Sequence, residues 1–165
     1  MKYFQKIRTI VFSTELPLWK YCFLTFWIFI SVSVIANIFI KTLAVFLTIN
    51  YGPEEIKTNL SVIESVVVSI IVPFIETLLL AVFLILFKII LKNNMFIAII
   101  IAIVAGLTHS KQDWTHFFIY AAMFYLFALF YLTRSKISFA NGFIAAFVPH
   151  LLNNSMIALF AYYDI

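Results

Sequence analysis

Polar and charged residues along this chain are gathered in short clusters, and the stretches between them are almost wholly apolar. A hydrocarbon core about 30 Å thick needs about 20 apolar residues of helix to cross it. The apolar runs predict about five membrane spans, at residues 21–49, 61–91, 95–109, 115–133 and 137–162. Ahead of them, Tyr3, Phe4, Ile7, Ile10 and Val11 fall on one helical face among Lys2, Lys6 and Arg8. That spacing predicts an interfacial amphipathic helix within residues 1–20, with Pro17 and Trp19 marking where the chain enters the membrane. The expected fold is an all-α polytopic transmembrane helix bundle, with residues 21–165 as a single transmembrane domain. A cleaved signal peptide is not expected, because the first apolar run is too long and lacks a small-residue cleavage site.

Composition agrees with the pattern. The chain is 65% hydrophobic and 11% charged, far from the even mixture of a soluble domain. Alternating spans place Lys2, Lys6, Arg8, Lys20, Lys88, Lys92, Arg134 and Lys136 on one side, against Lys41, Lys57 and Lys111 on the other. The positive-inside rule then puts the N-terminus in the cytoplasm and the C-terminus outside. The net charge of +4 is spent at the ends of spans, where headgroup contacts belong. Membrane lipids are therefore the expected partners, and no nucleic acid is.

Most polar residues have ordinary explanations. Asn37 and Lys41 sit near an interface, and Lys41 can snorkel to the headgroups. Gly52-Pro53 marks a turn, and the Glu54-Glu55 pair that follows suits the start of a helix. Glu64 lies near the outer end of its span, His116 sits beside Trp114 at an interface, and Cys22 reads as a small apolar residue with no internal disulfide partner.

Glu76 is different. It lies in the middle of the run from Leu60 to Leu91, where an ionised carboxylate costs about 3 kcal/mol or more. Counting inward from the cytoplasmic ends of three spans places Glu76, His109 and His150 at about 15, 14 and 13 residues, each about 20 Å deep. Asn154 follows His150 by one helical turn on the same face, whereas Asn153 points elsewhere. Pro73 and Pro149 each remove a backbone donor beside the polar level, which bends a helix or admits water. A carboxylate, two imidazoles and an amide at one depth fit two chemistries. Glu76 can deprotonate a water held by His109 while His150 and Asn154 donate to a carbonyl oxyanion. Alternatively, Glu76, His109 and His150 can bind a divalent metal such as zinc. The same residues also fit a buried polar network that only joins helices, worth about 1 kcal/mol per contact.

These residues resemble the motifs of the CAAX prenyl protease type II and bacteriocin-processing (CPBP) intramembrane proteases. That family carries Pro-x-x-Glu-Glu-x-x-x-Arg, then Phe-x-x-x-His, then His-x-x-x-Asn on successive helices. Pro73-Phe74-Ile75-Glu76 resembles the start of the first, the segment ending in His109 the second, and His150 to Asn154 the third, over roughly Val62 to Leu159. Thr77, Ala81 and Ala105 stand where the family has its second glutamate, its arginine and its phenylalanine. The resemblance implies an intramembrane endopeptidase in a bacterial plasma membrane, acting on a membrane-embedded peptide or a prenylated tail, with Glu76 as base. The departures equally fit a member that has lost catalysis and acts as a scaffold or immunity protein. A proton-coupled carrier is a third reading, with the absence of inverted repeats against it.

Overall fold

The computed structural model describes residues 2–46, 61–110 and 114–163. The Glu54-Glu55 pair, Lys57 and Lys111 lie outside the described residues. Among the described residues seven α-helices follow in order: α1 Lys2–Val11, α2 Leu18–Phe46, α3 Val62–Val66, α4 Val72–Ile90, α5 Asn94–His109, α6 Trp114–Arg134 and α7 Phe139–Tyr163, with a π turn at Val67–Ile71 joining α3 to α4. Four stretches of the described residues are long and apolar enough to cross a membrane: Leu18–Leu43, Val62–Ile90, His116–Arg134 and Phe139–Tyr163; α5 is apolar but shorter. The protein is an all-α polytopic helix bundle of an integral membrane protein.

Local chemistry sets the helix ends. Ser61 accepts a hydrogen bond from the Glu64 N–H, and the Glu64 carboxylate accepts from the Ser61 N–H at 2.9 Å, a reciprocal capping box. Glu64 is therefore part of a helix start. At α5 the Asn93 side chain accepts from the N–H groups of Met95 and Phe96, satisfying donors that the first helical turn leaves open. The N-terminal helix is shorter than the segment that carries its pattern. It stops at Val11, a non-helical link follows, and Trp19 and Lys20 already belong to α2.

Inside the bundle, α6 is the central element. Phe127, Ala128, Phe130, Tyr131 and Leu132 are buried, and α6 packs on α2, α5 and α7. The lipid-facing sides carry the large apolar residues, among them Ile89, Ile90, Leu107 and Leu159, all exposed in the isolated chain. The contact between α5 and α6 is the most extensive, because small residues line it. Ala98, Ala102, Ala105 and Gly106 are buried on α5, and such residues let helix backbones approach closely.

Gly106 shows how close. A Cβ there would lie 2.8 Å from the Phe117 carbonyl oxygen as well as 2.8 Å from its ring. The ring can turn, but the backbone oxygen belongs to α6 and moves only with the helix. Gly106→Ala should therefore destabilise the bundle by about 1–3 kcal/mol, read as a lower midpoint of thermal unfolding in detergent. Leu107→Ala, at a lipid-facing neighbour, should leave that midpoint nearly unchanged.

Candidate functional site

The carboxylate of Glu76 sits midway along the stretch Val62–Ile90 and is held between two imidazoles from other helices. His109 Nε2 lies 3.5 Å from Glu76 Oε1, and His150 Nε2 lies 3.3 Å from Oε2. The two histidines come from the last residue of α5 and the middle of α7. Glu76 and His109 are partly open, whereas His150 is 3% exposed.

Each ring is fixed from behind. His109 Nδ1 lies 2.8 Å from the Ala105 carbonyl oxygen. A carbonyl can only accept, so Nδ1 carries the proton, and Nε2 of a neutral His109 presents a lone pair to Glu76. Two acceptors facing one another are unfavourable, so the pair calls for a shared proton or a water that donates to both. His150 Nδ1 lies 3.3 Å from Thr77 Oγ1. When the Thr77 hydroxyl donates there, Nε2 of His150 carries its proton and donates to Glu76. In that state the two histidines play different parts toward one carboxylate, set by the groups behind them.

Aromatic faces complete the enclosure. His109 stacks on Tyr120 with ring centroids 4.4 Å apart, and His150 stacks on Phe127 at 4.6 Å with Phe124 edge-on at 5.9 Å. The three partners lie on α6, so that helix presents one wall to both imidazoles. His116 is a neighbour of Tyr120 on the same helix, with centroids 6.1 Å apart.

Asn154 is placed one turn beyond His150, and its amide donates to the Val68 carbonyl at 3.3 Å. The reason lies in the π turn. There the Val72 N–H answers the Val67 carbonyl, a five-residue register. In that register Val68 would be answered by residue 73, and Pro73 has no N–H to give. Asn154 supplies the missing donor across the interface between helices. Asn153 is buried and donates to Asn154 Oδ1 at 3.4 Å, which orients that amide. Thr77 and Asn153 are the residues that sequence reasoning undervalued. Thr77, one residue after Glu76, was legible as a helix-interior hydroxyl, but which helix it faced was not.

Zinc would draw its ligands to a single point at about 2.0–2.2 Å. The two Nε2 atoms address different oxygens of one carboxylate, and among the described residues no three His, Cys, Asp or Glu side chains form a group that could hold a metal ion. The arrangement instead supports proton transfer and hydrogen bonding by protein groups and water.

Comparison with family models, with curated proteins and with solved structures found no match to this chain. The functional reading therefore rests on the site itself.

If Asn154 secures the π turn, Asn154→Ala should leave the Val68 carbonyl unanswered, at a cost of about 1 kcal/mol. Hydrogen–deuterium exchange should speed up across residues 62–76 and stay unchanged in α6. Asn154→Gln, which keeps a donor on a longer stem, should restore part of the protection.

Proposed function

We propose that this protein is an intramembrane endopeptidase resembling the CPBP proteases, with Glu76 as general base. The observation that carries the reading is the carboxylate bracketed by two imidazoles in different roles at the centre of an apolar helix. A water seated about 2.8 Å from both His109 Nε2 and Glu76 Oε1 would donate one O–H to each. Glu76 takes one proton as the water oxygen attacks a peptide carbonyl carbon, while His109 retains the other O–H in a fixed direction. The carbonyl oxygen becomes an oxyanion, and the Nε2–H of His150 turns from Glu76 to stabilise it. Asn154, with a second amide N–H beyond the one on Val68, is the further donor that the family resemblance implies. Glu76 then returns its proton to the leaving amide nitrogen, the C–N bond breaks, and the carboxylate is regenerated.

Thr77 supports this division of labour from behind His150. Its hydroxyl occupies the position that is glutamate in the family pattern, and it is here within hydrogen-bonding distance of the ring. The substrate class in this reading is a peptide already in the membrane or a prenylated tail. The orientation proposed is the one the basic residues favour, N-terminus in the cytoplasm and C-terminus outside, in a bacterial plasma membrane.

A second reading, a scaffold or immunity protein without catalysis, draws support from Asn154 and Asn153, whose hydrogen bonds join helices and each other. One experiment separates the two. The purified chain is reconstituted in liposomes with a library of single-span and prenylated peptides, and products are followed by mass spectrometry. Under the peptidase reading, wild type cleaves a subset and Glu76→Gln loses at least about 100-fold in turnover while remaining folded. Thr77→Val should retain binding but lower turnover by about tenfold or more, with Thr77→Ser restoring it. Cleavage by neither wild type nor any variant would end the peptidase reading in favour of the scaffold.

A further inference from the structure

The end of the bundle that carries α1 presents an exposed surface of aromatic and basic side chains. We infer that α1 and the residues around it form a fixed platform for a leaflet rich in anionic phospholipid.

The first observation is a rigid seat. The Arg134 guanidinium, buried at the end of α6, donates to the carbonyls of Ser13, Thr14 and Leu16 at 3.4, 3.2 and 2.9 Å and reaches Asn141 Oδ1 at 3.4 Å. It also lies over the Tyr21 ring, 4.9 Å from the centroid. The Tyr21 hydroxyl donates to the Val11 carbonyl at 2.8 Å. One arginine and one tyrosine thereby tie the link after α1 to α2, α6 and α7. Arginine suits the task because its planar fork presents several donors in fixed directions.

The second observation is what this seat leaves uncovered. Among the residues of α1 whose side chains are described, Ile10 and Val11 turn toward the bundle and residues 3–9 are all exposed. Tyr3, Phe4 and Trp19 are 84%, 81% and 73% exposed. Apolar side chains held so far outside a packed core need a partner that is itself partly apolar. Tyrosine and tryptophan are the residues favoured at headgroup level.

The third observation is charge. Lys6, Arg8, Lys20 and Lys136 are exposed around the same seat, against one exposed acid, Glu15. Beside Arg8 lies a hollow of about 370 Å³ bounded also by Thr9, Phe12, Ser13, Thr14 and Glu15. The Arg8 guanidinium and the Ser13 and Thr14 hydroxyls can donate there to a phosphodiester, whereas the Thr9 hydroxyl already donates to the Gln5 carbonyl at 2.9 Å and Glu15 sets one negative charge against the basic surround. Apolar anchors and a basic surround select a bilayer leaflet over a soluble protein, and an anionic leaflet over a zwitterionic one.

The test places a spin label at residue 4 in the full chain (Phe4→Cys with Cys22→Ala) and measures its shielding from a water-soluble nickel chelate. Nanodiscs of phosphatidylcholine alone are compared with nanodiscs in which a third of the lipid is phosphatidylglycerol. Because the seat is fixed, the label should be immersed in both bilayers, which places the platform at the leaflet, and the lipid that the chain retains reads its charge preference. Substituting Lys6, Arg8, Lys20 and Lys136 by Gln should weaken the anionic preference about fivefold per charge removed. Raising salt should weaken it in the wild-type surface. Unlabelled chain purified from a mixed bilayer should retain phosphatidylglycerol over phosphatidylcholine, and the four-Gln variant should lose that bias. A label in water in either bilayer, or equal lipid retention by wild type and variant, would each overturn the inference.

Discussion

The contact on which the membrane part of this structure depends is the one between Glu76 and its two histidines. A carboxylate midway along an apolar helix is tolerable only if other helices bring polar partners to it, and here α5 and α7 each bring an imidazole nitrogen within 3.5 Å. Their own positions are then constrained. α6 provides the aromatic wall against which both rings stack, so one ionisable residue relates four helices. Charged pairs of this kind add little net stability when desolvation is counted, but removing one partner leaves the other stranded. Their value lies in setting which helices meet and at what depth.

The polar interior is layered. Glu76 meets imidazole nitrogens directly, and Thr77 and the Ala105 carbonyl fix those rings from behind. Farther along α7, Asn153 orients Asn154, which answers a carbonyl that Pro73 leaves open. The π turn links these layers. It shifts the hydrogen-bond register immediately before the proline, so the defect falls on Val68, where α7 can reach it, and the helix carrying Glu76 continues without a break. Such single-turn π segments are frequent at functional sites, and here the cause is a proline with an amide donor opposite.

Much of this was legible in the chain, and the division follows from physics. Apolar runs bounded by Lys, Arg, Asn and Ser mark helices because a membrane leaves the backbone no alternative. The common depth of Glu76, His109 and His150 could be counted because helical rise is constant, and the three do meet. What counting leaves open is rotation about each helix axis. For that reason the contact between Thr77 and His150 and the groups that back each histidine ring needed coordinates. Arg134 is a similar case. At a span end it reads as an orientation signal, yet it is buried and binds backbone carbonyls more than a hundred residues earlier in the chain. Nothing in its local sequence distinguishes the two roles. The π turn was likewise out of reach, since Pro73 announces a lost donor without saying which carbonyl loses it.

The brevity of α5 has a consequence for the surrounding lipid. Its 16 residues span about 24 Å at 1.5 Å per residue, less than the hydrocarbon thickness of an ordinary bilayer. A helix too short for its membrane draws the two headgroup planes together around itself. His109 is the last residue of α5, so the dimple formed at that end would bring headgroups and water down toward the imidazole. Glu76 can thus be central along its own helix and still lie close to an aqueous boundary, because that boundary is set by the shortest neighbour rather than by the helix that carries the charge.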